Sequence, residues 1–190
     1  MTTVLGIAAS ARRNGNSDAV LEAALDAMRE RGAEVSVIYP RRLSVTPCRS
    51  CNACWHTGRC VVQDVMQELY PQFEAADHIV VASPLYFTSV PGHFKVLIDR
   101  FQPYWVRTYR LNEKPEPRRE GMFLCVGAMD RERYYRSTLT IVKTWLSCLN
   151  MGCGVDRFYG DVDARDDLVK NHPEHLADAR AAAEELLAGG

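Results

Sequence analysis

The chain has 190 residues, a length that suits one domain with a substantial core. Its 23 basic and 24 acidic side chains leave a formal net charge of -1 at pH 7, with no basic excess for phosphate-backbone contacts, which argues against a nucleic-acid partner. The N-terminus MTTVLGIAAS has no basic leader, and its apolar run stops too soon for a signal peptide or a membrane span; a cytoplasmic protein with no membrane partner is predicted.

TVLGIAA (Thr3 to Ala9) is a short, almost wholly apolar run, as expected for a strand buried on both faces of a parallel sheet. An amphipathic helix follows, with Val20, Leu21, Ala24, Leu25 and Met28 on one face, Asn16 or Ser17 as N-cap and Gly32 just past its end. EVSVIYP (Glu34 to Pro40) predicts the second strand. Asp64 and Gln67 have capping-box spacing, ahead of a helix that places Val65, Met66, Leu69, Tyr70 and Phe73 together. HIVVASP (His78 to Pro84) predicts the third strand and Phe94 to Phe101 the third helix. GMFLCVGA (Gly121 to Ala128) is the fourth strand, Tyr135 to Leu149 the fourth helix, and GVDRFYG (Gly154 to Gly160) a shorter, weaker fifth strand. The closing helix is predicted to start at Asn171, with Pro173 in its first turn and Glu174 at the capping-box position.

Strands alternating with helices predict a single α/β domain over residues 1–190. The expected core is a doubly wound, five-stranded parallel sheet with helices on both faces; its order is not given by periodicity, and 2-1-3-4-5 is expected because five strands fit the flavodoxin-like arrangement. In such sheets ligands sit beyond the carboxyl ends of the strands, so the loops after strands one, three and four carry the functional expectation.

SARRNGNS (Ser10 to Ser17) leads from the first strand straight into a helix, where unpaired N–H groups and the helix dipole favour an anion. Ser10, Arg12, Asn14, Asn16 and Ser17 are the candidate phosphate ligands. Neither GxxxxGK[ST] nor GxGxxG occurs there, which points to a monophosphate instead of an ATPase or dinucleotide site. The alternative is a polar loop with a capped helix. After strand three, prolines stiffen ASPLYFTSVPG, and Tyr86 and Phe87 offer a rigid edge to a flat ligand. The alternative there is that both rings merely cover the sheet end.

Four of the seven cysteines fall within Cys48 to Cys60, in the order CxxCxxCxxxxxC, inside a cysteine-rich loop at 47–61. An odd count in a reducing compartment disfavours a disulfide framework. Two CxxC steps turn three sulfurs toward one point, and the return through Gly58 gives the fourth slack to close a cubane site. Zinc, which prefers two separated knuckles, and free redox-active thiols are the other readings. Cys125, Cys148 and Cys153 lie in apolar surroundings and read as core. His172 and His175, without a third ligand nearby in sequence, read as surface residues.

Taken together, AASARRNGNS, TPCRSCNACWHTGRCVVQD and ASPLYFTSVPGHFKVLIDR resemble the NADPH-dependent FMN reductase group of flavodoxin-like proteins, in the branch that includes the iron-sulfur flavoproteins. The sharp motifs cover roughly the first 100 residues. The resemblance implies FMN as cofactor and NAD(P)H as cosubstrate, with the phosphate on Ser10, Arg12, Asn16 and Ser17 and the ring on Pro84, Leu85, Tyr86 and Phe87. Further flavin contacts near Gly127 follow only loosely. It also implies Cys48, Cys51, Cys54 and Cys60 as ligands of a [4Fe-4S] cluster; relatives without a demonstrated cluster carry similar loops.

Three functions follow. The first is an NAD(P)H-dependent FMN oxidoreductase serving a small acceptor, with no catalytic side chain because the flavin carries the chemistry and the amides of Leu85 to Phe87 stabilise its reduced form. The second is an iron-sulfur flavoprotein linking a ferredoxin-like partner, a cluster and FMN. The third is a cysteine-loop redox or zinc sensor. A homodimer or homotetramer is implied by the resemblance. Residues 102–121 show no clear periodicity and read as a long loop, with Tyr104 and Trp105 covering the flavin or a subunit contact and Arg107, Arg110, Arg118 and Arg119 meeting a nucleotide phosphate.

Overall fold

The computed structural model describes residues 1–113 and 116–189. Five parallel strands, β1 (Thr3–Ala8), β2 (Glu34–Ile38), β3 (His78–Pro84), β4 (Arg119–Val126) and β5 (Met151–Tyr159), form one sheet in the order β2-β1-β3-β4-β5. This is the order expected from the flavodoxin-like arrangement that five such strands suit, and the fold is flavodoxin-like. The strands are apolar on both faces because both faces are covered. Leu5, Ile7, Ile79, Val81, Phe123 and Cys125 point into one cluster, and Val4, Ala8, Val80, Ala82, Met122 and Leu124 into the other.

The second cluster lies under α1 (Asn16–Glu30) and α7 (Pro173–Ala188), where the small Ala179, Ala182 and Ala183 let the two helices pack closely. The first lies under α2 (Met66–Ala75), α3 (Gly92–Asp99), α4 (Gln102–Tyr109) and α5 (Glu132–Cys148). Its centre is aromatic: the Trp145 ring stands edge-on to Phe73, Phe94 and Phe101 at centroid distances of 5.8, 5.6 and 5.5 Å. Cys125 and Cys148 are core residues as expected, and burial pushes their thiols up, Cys148 to about 11; Cys153 is half-buried and pushed up to about 12.

Several local expectations are corrected. The cap of α1 is Gly15, not Asn16 or Ser17, which are already helical. Asp64 accepts the Met66 N–H at 3.1 Å, but Gln67 turns away from it and donates to the Val62 and Cys60 carbonyls, so the pair is not a capping box. The segment 102–121 is not structureless. Residues 102–109 form α4, with Pro103 in its first turn where a missing N–H costs nothing, and β4 begins at Arg119. β5 is the longest strand, nine residues, and a register shift at Gly121/Met122 lets it pair along its length. The closing helix is divided into α6 (Asp167–Asn171) and α7, with His172 at the junction.

Candidate functional site

The loops at the carboxyl ends of β1, β3, β4 and β5 meet around a cavity of about 100 Å³. Ser10, Arg12, Gly15, Asn16 and Ser17 line it from the first loop and Pro84, Leu85 and Tyr86 from the second. The first turn of α1 faces this space with N–H groups that have no helical acceptor, the arrangement that receives an anion. Ser10 and Ser17 are buried, and Ser10 Oγ accepts the Arg12 N–H at 3.1 Å. The polar lining and exposed amides fit a phosphate ester beside the flatter wall made by Pro84 to Tyr86.

Three of the residues singled out from sequence stand elsewhere. Asn14 has a left-handed backbone (φ 52°), gives its N–H to Asp18 Oδ2 at 2.9 Å and lines a separate cavity of about 410 Å³ with Tyr39, Arg41 and Arg42. Gly127 is held by its own backbone, donating to Tyr159 O and accepting from Val162 N, while its neighbours Val126 and Ala128 line the cavity. Phe87 is fully exposed and does not line it.

The displacement of Phe87 has a backbone cause. Tyr86 and Ser89 exchange hydrogen bonds of 2.9 Å across a tight turn whose two central residues, Phe87 (φ 48°) and Thr88 (φ 59°), are both left-handed. A β-branched residue in that region is a strained one. Leu85 gives its N–H to Val126 O at 2.8 Å and Tyr86 gives its own to Ser89, so two of the three amides expected to serve a ligand are already used. Among the described residues, the N–H groups of Phe87 and Thr88 have no acceptor within the chain.

The cavity has a wall that sequence reasoning missed. Val162, Asp163 and Arg165, after β5, complete it, and Arg165 donates to Arg13 O at 2.7 Å. Asn16 fastens this loop to α1: its Nδ2 donates to Ala164 O at 2.7 Å and its Oδ1 accepts the Leu168 N–H at 3.2 Å. The signal was present in DVDARDD, since the loop after strand five also leaves a carboxyl end. Behind the first loop, Arg41 donates to Ser10 O and to both oxygens of Asp18, fixing the start of α1 against the end of β1. His93 Nε2 lies 3.0 Å from Ala9 O; burial, with Arg41 nearby, pushes its imidazole below the usual histidine range and keeps it neutral near pH 7.

Cys48, Cys51, Cys54 and Cys60 all line a second cavity, together with Arg100, and it shares no lining residue with the first. Left-handed residues wind the loop: Ser50 (φ 52°), Asn52 (φ 58°) and Gly58 (φ 61°) bracket a 3₁₀ turn at Ala53–Trp55. All four thiols are free of disulfides. Burial pushes the Cys54 thiol up, with the neighbouring Cys60, Cys48 and Cys51 adding in the same direction. Four soft sulfur donors lining one cavity, with Cys48 and Cys51 exposed, are a ligand set whose chemistry fits an iron-sulfur cluster.

Helix α4 backs this loop. Arg110 lies over the Trp55 ring at 4.6 Å, and a Cβ on Gly58 would come 2.4 Å from Arg107 Cγ. The expectation that these arginines meet a nucleotide is therefore corrected. Arg107 pairs with Glu74, Arg118 with Glu120, and Arg119 donates to the carbonyls of Phe73, Glu74, Ala76 and Leu149 at the amino end of β4, the wrong edge for a ligand. Tyr104 is buried and donates to Glu74, so it covers no flavin; Trp105 is 44% exposed.

His172 and His175 do have a third ligand-type neighbour, Glu174, with ligand atoms of all three within 4.8 Å. His172 Nδ1 already shares a 3.2 Å hydrogen bond with Glu174 Oε1, and the group stands at the positive end of α7, which opposes a cation.

No helix among the described residues is long and apolar enough to cross a membrane. The chain is 32% identical to an iron-sulfur flavoprotein of Methanosarcina thermophila over 143 residues, 75% of this chain and 72% of that protein. It is 36% identical to another of Methanocaldococcus jannaschii over 100 residues, 53% of this chain and 52% of that one. Solved structures share the fold: an azoreductase from Bacillus anthracis str. Sterne superposes with a TM-score of 0.72 at 15% identity, covering 98% and 99% of the two chains. An NAD(P)H:quinone oxidoreductase from Methanothermobacter marburgensis superposes with a TM-score of 0.69 at 20% identity, covering 97% and 98%. The family model described as NADPH-dependent FMN reductase matches residues 2–151, and with that match the chain belongs to the NADPH-dependent FMN reductase family.

Proposed function

We propose that the protein binds FMN in the cavity at the carboxyl ends of the strands, takes reducing equivalents from NAD(P)H and passes them to a small acceptor such as a quinone, a free flavin or a metal ion. The observation that carries this reading is the junction of the α1 amino terminus with the Pro84 to Tyr86 wall in one cavity. When bound, FMN supplies the hydride and electron chemistry. The chain's own work is to hold it. The open amides of α1, the Ser10 and Ser17 hydroxyls, and Arg12 and Arg165, which outnumber Asp163, grip the terminal phosphate. Pro84, Leu85 and half-exposed Tyr86 support the ring. Leu85 and Tyr86 give their own N–H groups to Val126 O and Ser89 O, so neither amide is left for its polar edge. No side chain acts as general acid or base.

The test is titration of flavin-free protein with FMN, followed by anaerobic addition of NADH or NADPH. Saturable binding and bleaching of the flavin absorbance are expected; no affinity for FMN overturns the proposal.

A second reading is favoured by one observation, the four thiols lining a single cavity. In it the loop carries a [4Fe-4S] cluster that receives electrons from a ferredoxin-like partner, with FMN passing them on. Slow bleaching by NAD(P)H beside fast reduction by ferredoxin, with iron and acid-labile sulfide in anaerobically purified protein, supports it over direct nicotinamide reduction. A homodimer or homotetramer is supported by Trp105 and Tyr109, which remain 44% and 56% exposed beside an apolar groove between α3, α4 and α5. Light scattering of the wild type and of a Trp105→Ala/Tyr109→Ala variant tests this, with a smaller particle expected for the variant.

A further inference from the structure

Arg100 follows α3 and is 1% exposed, yet its guanidinium keeps its charge at any working pH. Nη1 donates to Asp64 Oδ2 at 2.6 Å and to Thr46 O at 2.7 Å. Nη2 donates to Asp64 Oδ1 at 3.1 Å and reaches Cys60 Sγ at 3.5 Å, a normal length for a bond to sulfur. Thr46 precedes the first of the four cysteines and Cys60 is the last, so one side chain ties both stems of the loop and touches one of its thiols. Asp64 also accepts the Thr46 N–H at 2.9 Å, closing the same stem from the other side.

Cys60 needs such help more than its fellows. Cys48, Cys51 and Cys54 are set by two tight CxxC steps, whereas five residues separate Cys54 from Cys60. Gln67 fixes the Cys60 carbonyl at 3.2 Å, which places the backbone but leaves the sulfur free to turn. Arg100 reaches the sulfur itself.

We propose that Arg100 is a positioning residue for the cysteine centre: it donates an N–H to Cys60 Sγ when that sulfur is a metal-bound thiolate, fixing the fourth ligand and raising the centre's reduction potential. The proposal rests on reading the four thiols as iron-sulfur ligands. Reduction adds negative charge that is shared by the ligand sulfurs, so a hydrogen bond to one of them stabilises the reduced form more than the oxidised form. Because Asp64 balances the guanidinium charge, the directed N–H bond, not net charge, carries the effect.

Two variants of the full chain separate these contributions. Arg100→Lys keeps the charge and shortens the reach. Arg100→Met combined with Asp64→Asn removes both charges, leaves net charge unchanged and avoids an unpaired buried carboxylate. Each is reconstituted anaerobically with ferrous iron and sulfide and assayed for iron and sulfide per chain. Its midpoint potential is measured by dithionite titration followed by electron paramagnetic resonance. FMN affinity and the thermal transition report folding. The expected result is a folded variant that either loses iron or keeps it with a more negative midpoint, by at least the 59 mV that a tenfold change in a one-electron equilibrium represents. Folded variants with wild-type iron content and potential overturn the role of Arg100 while leaving the cluster in place. Wild-type protein that takes up neither iron nor sulfide overturns the cluster reading, and the role of Arg100 with it. Where the double variant does not fold, Arg100→Lys decides.

Discussion

Arg41 grips Asp18 with both prongs of its guanidinium, Nη2 to Oδ2 at 2.8 Å and Nη1 to Oδ1 at 3.1 Å, in a pair whose side chains are only 8% and 15% exposed. Asp18 sits in the first turn of α1, where an uncompensated carboxylate competes with any bound anion. Arg41→Ala strands that carboxylate and frees the Ser10 carbonyl. FMN affinity is expected to fall about tenfold, roughly 1.4 kcal/mol. Asp18→Asn removes the competing charge and should weaken FMN far less. Fluorescence titration compares the two, and equal losses would show that the pair matters only for folding.

Asn16 gives a second test of the phosphate end. Asn16→Ala loses both bonds to the loop after β5 and should cost about 1–2 kcal/mol of stability. Asn16→Asp keeps the acceptor for the Leu168 N–H and suits the helix dipole, yet brings negative charge to the anion site. It should therefore be the more stable variant and the weaker FMN binder. Denaturant unfolding and FMN titration on the same samples read this crossing of the two orders.

Gly58 must adopt φ 61° with Arg107 directly against it. Gly58→Ala is expected to destabilise by about 1–3 kcal/mol, lowering Tm by several degrees. Adding Arg107→Ala relieves the steric part and leaves the backbone part, so the double variant should recover some of the loss. FMN affinity should stay at the wild-type value in both, because neither residue lines the cavity proposed to hold it.

The carboxyls of Asp77 and Glu74 both lie below their ordinary range. Asp77 is held there by the Thr3 N–H, with the Thr3 hydroxyl adding, against burial; for Glu74 burial pulls upward and bonds from Arg107 and Tyr104 overrule it. A depressed folded pKa contributes stability that is present above the unfolded value, about 4, and is lost as pH falls through the folded one. Urea midpoints should therefore decline on acidification from about pH 5 to 3. Asp77→Asn should lower the midpoint at neutral pH and flatten the decline, whereas a parallel decline in the variant would assign the acid sensitivity to other groups.

The sheet was legible because strands covered on both faces leave unbroken apolar runs, and the helices that cover them leave stripes. α4 was not, because QPYWVRTY buries Tyr104 and Val106 while exposing Trp105 and Tyr109, which leaves no clear apolar stripe in the sequence. β5 seemed short because Gly152 and Cys153, at its start, carry little strand signal; its length comes from pairing with β4. That Ser10, Arg12, Asn16, Ser17 and Pro84 to Tyr86 would line one cavity was legible from loop chemistry. Arg41 and Arg165 were not, because their partners are distant in the sequence. Phe87 was misplaced because a left-handed turn, invisible in composition, sends its ring outward.

The two cavities have no wall in common, and α4 buttresses only the sulfur-bearing one. Either compartment can therefore be emptied or re-tuned by substitution without rebuilding the other. Replacing all four clustered cysteines with serine should yield a protein that is still yellow.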